Sequence, residues 1–204
     1  AARFTGRGDR EVVAKLYNDY ITIVNNAFVA SGEGVAGIYE GGRNDDGEAD
    51  GRGSYLYLDG NVYLGEWRCG KQHGRGSYTY ADGDVYEGEW QDGRQQGRGI
   101  YRFMSGDVYE GEYVEDKKHG RGTYRLADGR VMIGRFDNEL PVGEGVCWIP
   151  PDAESPDPDR RYWRVARLLN GQPEAYISLE EAEVIAKNVG EPLPAFGTHL
   201  QTAI

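Results

Sequence analysis

The chain has 204 residues, 31 glycines and a net charge of −11, a composition that argues against a thick central core. Acidic residues equal or outnumber basic ones in the N-terminal, central and C-terminal parts, so no part has the field that attracts nucleic acid or anionic lipid. No apolar run approaches the roughly 18–20 residues that span a bilayer.

Residues 9–28 are predicted to form a helix within an N-terminal segment that covers residues 1–38. Asp9 is a suitable N-cap for it. Its apolar residues recur at three- and four-residue intervals, as one helix face requires: Val13, Leu16, Tyr17, Tyr20, Val24 and Phe28.

The central part repeats itself with a period of 23 residues. Three clean copies begin at Tyr63, Tyr86 and Tyr109, and their glycines keep the same places. An eroded copy follows from Met132, and a copy one residue longer starts upstream at Tyr39. Self-similarity at a fixed period is the signature of a repeat array, so residues 39–149 are predicted to hold five copies.

Within each copy the residue types alternate as they do in a β-strand. Tyr63, Gly65 and Trp67 fall on one face, and Leu64 and Glu66 fall on the other. Each copy therefore predicts a hairpin with one aromatic and one polar face, and Asp-Gly pairs at 59–60, 82–83 and 128–129 predict turns between copies. Because glycine has no Cβ, the glycines of the aromatic face are expected to leave room for a ring from a neighbouring strand.

The clean copies resemble a known repeat. Tyr86-Glu-Gly-Glu-Trp90, Gly97-Arg-Gly99 and Asp82-Gly-Asp-Val85-Tyr86 are similar to the MORN (membrane occupation and recognition nexus) repeat. The resemblance implies a mainly β fold: an elongated, single-layer, antiparallel array of β-hairpins, found in scaffolds, tethers and the non-catalytic parts of larger enzymes. Ciliary radial-spoke components and cytoskeletal scaffolds are proteins of this kind, so an intracellular, cytoplasmic, cytoskeletal or ciliary location is expected. If a targeting segment was removed before Ala1, a plastid or mitochondrion is the alternative.

The tail changes character at residue 150. Residues 150–159 predict an extended acidic connector rich in proline. Residues 160–204 predict a small module, in which a strand at 162–169, an Asn-Gly turn at 170–171 and a short return strand at 174–177 precede a helix.

The helix of this module has clear start and stop signals. Ser178 and Glu181 form a capping box, Ile177 is placed to contact Ala182, and Gly190 predicts the end. Open sheets have edges that invite aggregation. The module and the N-terminal helix are therefore expected to cover the two ends of the array.

No combination of residues predicts a catalytic site, a cofactor or a metal. His73 and His119 share a repeat position, and the equivalent residues in the other copies are Asp50, Gln96 and Val142. Because these residue types differ, this position is predicted to require only a residue that suits a turn. The Gly-Arg-Gly triplets lie between strands and not before a helix N-terminus, which predicts structural glycines and not a phosphate site.

Two further patterns resemble sites of metal or redox chemistry. Residues 46–51 place acids at alternate positions before a glycine, as a calcium loop does, but Tyr57 stands where the bidentate Glu belongs, which favours a solvated hairpin tip. Cys69 and Cys147 have no metal-site spacing and form no disulfide framework, so a reducing interior is expected.

The aromatic face is the candidate binding site. Contiguous apolar patches above a few hundred Å² usually mark an interface, so rows of rings predict a groove for a partner helix or extended segment. The alternative is that neighbouring rings and the chain's own helices cover the rows. The predicted partner-binding residues are Tyr63, Trp67, Tyr78, Tyr80, Tyr86, Trp90, Tyr101, Phe103, Tyr109, Tyr113, Tyr124 and Phe136.

These patterns favour a non-catalytic structural protein, a subunit of a larger assembly that binds one or more protein partners and no nucleic acid; a homodimer stays open. The alternative is a membrane-associated tether or lipid-binding module, which the acidic balance disfavours. The second alternative is the regulatory part of a larger enzyme, although the residues after Pro150 are too few for a catalytic domain.

Overall fold

The computed structural model describes residues 37–152 and 164–191, which form twelve antiparallel β-strands and one α-helix. The mainly β fold class with successive hairpins is confirmed. The predicted N-terminal helix at 9–28, most of the connector at 150–159 and the tail beyond residue 191 lie outside the described residues.

The chain divides into two compact units between Gly93 and Arg94. In the N-terminal unit each strand pairs antiparallel with the next along the chain. Its strands are β1 (Gly37–Arg43), β2 (Ala49–Tyr57), β3 (Val62–Arg68), β4 (Lys71–Thr79) and β5 (Val85–Gln91).

The C-terminal unit continues the same pattern of consecutive antiparallel pairs and adds the helix. Its elements are β6 (Arg94–Arg102), β7 (Val108–Val114), β8 (Lys117–Arg125), β9 (Val131–Asp137), β10 (Leu140–Ile149), β11 (Arg164–Leu169), β12 (Gln172–Tyr176) and α1 (Leu179–Val189).

The tight turn inside each clean copy has two consecutive residues with positive φ, as type I′ hairpins require. At 69–70 the φ angles are 46° and 74°. Asp116 and Glu139 take the second place, which glycine fills in the earlier copies. Their carboxylates accept hydrogen bonds from the backbone N–H groups of Gln95, at 2.8 Å, and of Lys118. These bonds to the preceding copy offset the strain of a left-handed, non-glycine residue.

The backbone of each tight turn is also bonded to the preceding copy. The N–H group at the second turn position donates to a carbonyl 21 residues upstream, from Gly70 to Ala49 at 2.9 Å and from Asp116 to Gln95 at 3.1 Å. The same bond recurs from Gly93 and from Glu139. Each hairpin is therefore held to its predecessor at its tip as well as along its strands.

The turns between copies lie where the Asp-Gly pairs predict them. Gly60 has a φ of 88°, the Tyr57 N–H donates to the Asn61 carbonyl at 2.9 Å, and the Asp59 carboxylate accepts from the Asn61 N–H. The backbone bond across this turn recurs at 80–84, 103–107 and 126–130.

A β-bulge interrupts β4 and β8. Gly65 pairs with Gly76 but Glu66 pairs with His73, so the intervening two residues of β4 have no counterpart on β3. The first of them, Gly74, has a φ of 59°. The prediction that His73 and His119 occupy a turn is therefore wrong. Both lie in strands, and the glycine that follows each of them absorbs the extra length.

The helix forms the main aliphatic core of the C-terminal unit. Ser178 and Glu181 make the predicted capping box, Gly190 ends the helix with a φ of 86°, and Ile177 packs against the core that contains Ala182. This core joins one face of β9 to β11 with one face of α1, and its buried members are Val131, Ile133, Val146, Trp148, Val165, Ala182, Ile185, Ala186 and Val189.

Three arginines of the polar face hold the C-terminal end of α1. Arg121 and Arg135 donate to the carbonyls of Gly190 and Asn188 at 3.3 and 3.2 Å, and Arg98 pairs with the Glu191 carboxylate at 3.4 Å. Cations are favourable at a helix C-terminus because its last carbonyls lack intrahelical partners.

The C-terminal module covers one end of the repeats, as predicted. Strand β11 pairs with β10 along its length, which leaves β12 as the outer strand of this unit. Strand β12 has five residues and contains Pro173. Short edges and prolines both disfavour further strand pairing.

Candidate functional site

The two faces of the sheet in the C-terminal unit carry different residues. In β9, Val131 and Ile133 are buried beneath α1, whereas the alternate residues Met132 and Phe136 face the other way, among the rings. We call this second side of each unit the aromatic face. The expectation that the chain's own helices cover the aromatic rows is wrong for α1, because the apolar residues that attract it lie on the opposite side.

The innermost row of the aromatic face is tyrosine seated on glycine. Tyr63 has no exposed surface, and a Cβ atom added to Gly76 would lie 2.4–2.6 Å from atoms of its ring. Its hydroxyl donates to the Glu66 carbonyl at 2.9 Å. Tyr109 lies in the same way on Gly122. The predicted use of the face glycines is confirmed, since only a residue without a side chain permits this contact.

Tryptophans join one copy to the next. The Trp67 and Trp90 indole N–H groups donate to the carbonyls of Gly53 and Gly76, both at 3.3 Å. The Tyr63 ring lies edge-on between these two indoles, with centroid distances of 5.1 and 5.2 Å and interplanar angles of 89° and 80°. Each edge-to-face pair of this kind stabilises the fold by about 0.5–1.5 kcal/mol beyond the contribution of the buried apolar area.

A second set of rings is only half-buried. In the N-terminal unit, Tyr78 lies 5.7 Å from Tyr57 and 4.7 Å from Tyr80, measured between ring centroids. In the C-terminal unit, Phe103 lies 4.5 Å from Tyr101 and 5.7 Å from Tyr124. Neighbouring rings fix their orientation, yet part of each ring is accessible.

Burial also sets the ionisation of the tyrosines. It raises the pKa of Tyr63 and of Tyr109 well above the usual value, with a further rise from nearby glutamates, Glu66 for the first and Glu139 and Glu112 for the second. Burial likewise raises the pKa of Tyr57. These phenols therefore stay protonated at neutral pH, and the Tyr63 hydroxyl keeps its proton to donate.

Lys118 is a cation among the rings of the C-terminal unit. Its Nζ lies 5.4–5.9 Å from the ring centroids of Phe103, Tyr109 and Tyr124, and 2.9 Å from the Glu139 carboxylate. Lys118 is not among the residues predicted from the sequence. The available signal was its repeat position, which holds the buried Gln95 one copy earlier.

The twelve predicted partner-binding residues differ in accessibility. Tyr63, Tyr86 and Tyr109 are fully buried, and Trp67, Trp90 and Tyr113 nearly so. The half-buried members are Tyr78, Tyr80, Tyr101, Phe103, Tyr124 and Phe136. Leu126 and Met132 lie in the same rows, as the period of 23 residues predicts, and the structure adds Tyr55 and Tyr57 to this face.

The last copy departs from this arrangement and contains a cleft of about 310 Å³. Apolar residues of β8 to β11 and their turns line it, among them Tyr124, Met132, Phe136, Pro141 and Leu168. Gly134 forms part of its wall, and a Cβ atom added there would meet nothing within 4 Å. No tyrosine covers the glycine in this copy.

The repeat geometry agrees with a comparison to known families. The MORN repeat profile matches residues 45–62, 63–85, 86–108 and 109–129. The chain carries MORN repeats. The comparison with curated proteins found no match to the chain. The MORN geometry extends upstream of the matched residues, because Tyr39 lies on Gly53 as Tyr63 lies on Gly76.

MORN repeats are generally non-catalytic. Within 37–152 and 164–191 there is no cluster of three or more His, Cys, Asp or Glu residues able to hold a metal ion. Over the same two ranges, no helix has the length and apolarity needed to cross a membrane.

Proposed function

We propose that this MORN repeat protein is a non-catalytic interaction scaffold that binds segments of partner proteins on its aromatic face, as a subunit of a larger assembly. The observation that carries the proposal is the half-buried set of rings. Their orientations are fixed by their neighbours, while α1 packs on the opposite side of the sheet. Aromatic side chains held in this way are typical anchors of protein interfaces.

The buried row supports this function from beneath. Tyr63 and Tyr109 are locked onto glycines, so the accessible rings above them lose little freedom when a partner binds. Association is opposed by the ordering of side chains, at about 0.5–1.5 kcal/mol for each one immobilised. A face whose rings are already fixed avoids most of that cost.

Charge favours a basic partner segment. The chain carries 34 acidic and 23 basic residues, and complementary potentials accelerate encounter and disfavour partners of like charge. We expect association to slow as salt concentration rises, because the attraction between exposed charges is screened.

The test measures the native size of the protein in a gentle cell extract. The wild-type chain should elute far above its own 22.7 kDa together with fixed co-eluting proteins. Replacing the half-buried Tyr101 and Phe103 together by alanine should move elution towards that size. Glu110→Ala is the matched control, because Glu110 is exposed and alternates with Tyr109 in β7, so it points to the polar face.

Elution of the wild-type chain at monomer or dimer size would contradict the proposal, as would a double variant that keeps all its partners. Sedimentation with anionic vesicles tests the other use that MORN repeats suggest. If the wild-type chain sediments with vesicles and the double variant does not, the aromatic face is a lipid-binding surface and not a protein interface.

A further inference from the structure

In the clean copies a tyrosine ring fills the space over the glycines of the aromatic face, and we call this space the tyrosine seat. In the last copy the seat is empty and forms the cleft. At Gly111 an added Cβ atom would lie 2.4 Å from the Tyr109 hydroxyl oxygen. Gly134 holds the same place one copy later, but Met132 stands where the tyrosine belongs. Nothing lies within 4 Å of a Cβ built at Gly134, so the space that a ring fills in the preceding copy is open.

The cleft has the size and lining that a ring requires. Its volume is about 310 Å³, and an apolar cavity of about 150 Å³ is enough to hold benzene. Phe136 and Tyr124 supply aromatic walls, and Met132, Pro141 and Leu168 supply aliphatic ones. Thioether sulfur next to an aromatic ring is itself a favourable contact.

The backbone at the bottom of the cleft offers a hydrogen-bond acceptor for a phenol. In two of the three clean copies the tyrosine hydroxyl donates to the carbonyl of the glutamate three residues later, at 2.9 Å for Tyr63 and 3.1 Å for Tyr86. Arg135 holds that place in the last copy and lines the cleft. It pairs with Val142 as Glu66 pairs with His73, so its carbonyl has the equivalent position in the strand.

The charge of the whole chain favours a basic flank on the occupant. The tight turns of the last two copies carry Glu115, Asp116 and Glu139, and Asp137 ends β9; Lys118 and Arg135 line the cleft together with Glu139, and Lys118 pairs with the Glu139 carboxylate at 2.9 Å. The whole chain has a net charge of −11. A lysine or arginine beside the entering ring would therefore meet a complementary field.

We propose that this cleft binds the tyrosine side chain of a basic segment of a partner protein. The inference rests on the proposed function and specifies the anchor residue of the partner. The ring takes the seat over Gly134, its hydroxyl donates to the Arg135 carbonyl, and the net negative charge of the chain attracts the neighbouring basic residues.

The sequence supplies a convenient reporter, because the chain has two methionines. Met132 lines the cleft, and Met104 is 77% exposed in a turn between copies. With methyl-labelled methionine in the full chain, the peptide acetyl-Lys-Lys-Tyr-Lys-Lys-amide should shift the Met132 signal through the ring current and leave Met104 in place. Phenylalanine in place of the tyrosine should weaken binding about fivefold, since one hydrogen bond is lost. Alanine should abolish the shift.

Two variants of the protein itself test the same site. Met132→Tyr restores the missing ring, which should occupy the seat, raise the melting temperature and abolish peptide binding in calorimetry. Gly134→Val fills the seat while keeping both reporter methionines, and should abolish the shift at Met132. For Met132→Tyr, the raised melting temperature distinguishes a variant whose seat is filled from one that is misfolded.

The outcomes separate this inference from the proposed function. If the tyrosine peptide leaves Met132 unmoved, or moves Met104 equally, the assignment of the cleft is overturned. If Met132→Tyr keeps the large native complex while the Tyr101 and Phe103 double variant loses it, the scaffold function stands and the cleft is not its anchor. Loss of the complex in Met132→Tyr, with the fold intact, supports both.

Discussion

The two faces of the hairpin formed by β9 and β10 are covered by different means. On one face, Ile133 and Trp148 are almost fully buried by residues of α1, which are distant in sequence. On the other face, the preceding copies use a tyrosine laid on glycines of its own hairpin, and this copy has Met132 instead. The comparison shows that local rings suffice to cover a repeat, and that losing one ring leaves a defined cleft.

The largest expected effect is a loss of stability at alkaline pH, which arises from the buried tyrosines of the aromatic face. Burial raises the pKa of Tyr57, Tyr63 and Tyr109 above the unfolded value of about 10. The unfolded chain therefore loses these protons first, so their contribution to stability is complete below about pH 10 and is lost as pH rises further. Urea unfolding measured from about pH 8 to about pH 11 should show a falling free energy of unfolding above about pH 10. A flat profile would contradict the burial of these phenols.

Trp148→Ala acts on the helix-covered face. Trp148 is 1% exposed within the aliphatic core, and removing a buried tryptophan costs about 3–5 kcal/mol. We expect this loss in the free energy of unfolding, together with a weaker helical circular dichroism signal. Val184→Ala is the control on α1, since Val184 is 59% exposed and should change stability by less than about 0.5 kcal/mol. Equal effects of the two would refute the packing of α1 described above.

A pair of glycine substitutions gives the smallest effects and compares the filled seat with the open one. An alanine Cβ at Gly122 would meet the Tyr109 ring at 2.4–2.6 Å, so Gly122→Ala should destabilise by about 1–3 kcal/mol. Gly134→Ala meets nothing and has no positive φ, so it should stabilise by about 0.4–1 kcal/mol by restricting the unfolded chain. Thermal and urea unfolding of both variants would show whether the signs are opposite.

Much of the fold follows from the sequence because each hairpin is stabilised locally. The period of 23 residues, the Asp-Gly turns and the capping box at Ser178 each rest on interactions between residues close in sequence. The seat of Tyr63 on Gly76 was also predictable, because the alternation within one copy places the ring and both glycines on the same face.

The side of the sheet that α1 covers could not be derived from the repeat pattern alone. The clean copies place Arg and Glu on the polar face, but the last copy places Ile133 and Trp148 there. This change of residue type was visible in the sequence, although its meaning depends on a helix about 40 residues away. The strand position of His73 was missed for a related reason, since a bulge depends on the register with the neighbouring strand.

The backbone bond from each tight turn to the carbonyl 21 residues upstream has a consequence for how such chains evolve. Duplicating or deleting a whole copy returns every turn donor to an equivalent acceptor. Inserting one residue within a strand would place the rings of that strand on the polar side and break the bond at its tip. We therefore expect length differences among homologous arrays to come in steps of about one 23-residue copy, with single insertions confined to turns, as in the first copy, whose extra residue lies between Gly41 and Gly51 around the turn that joins β1 to β2.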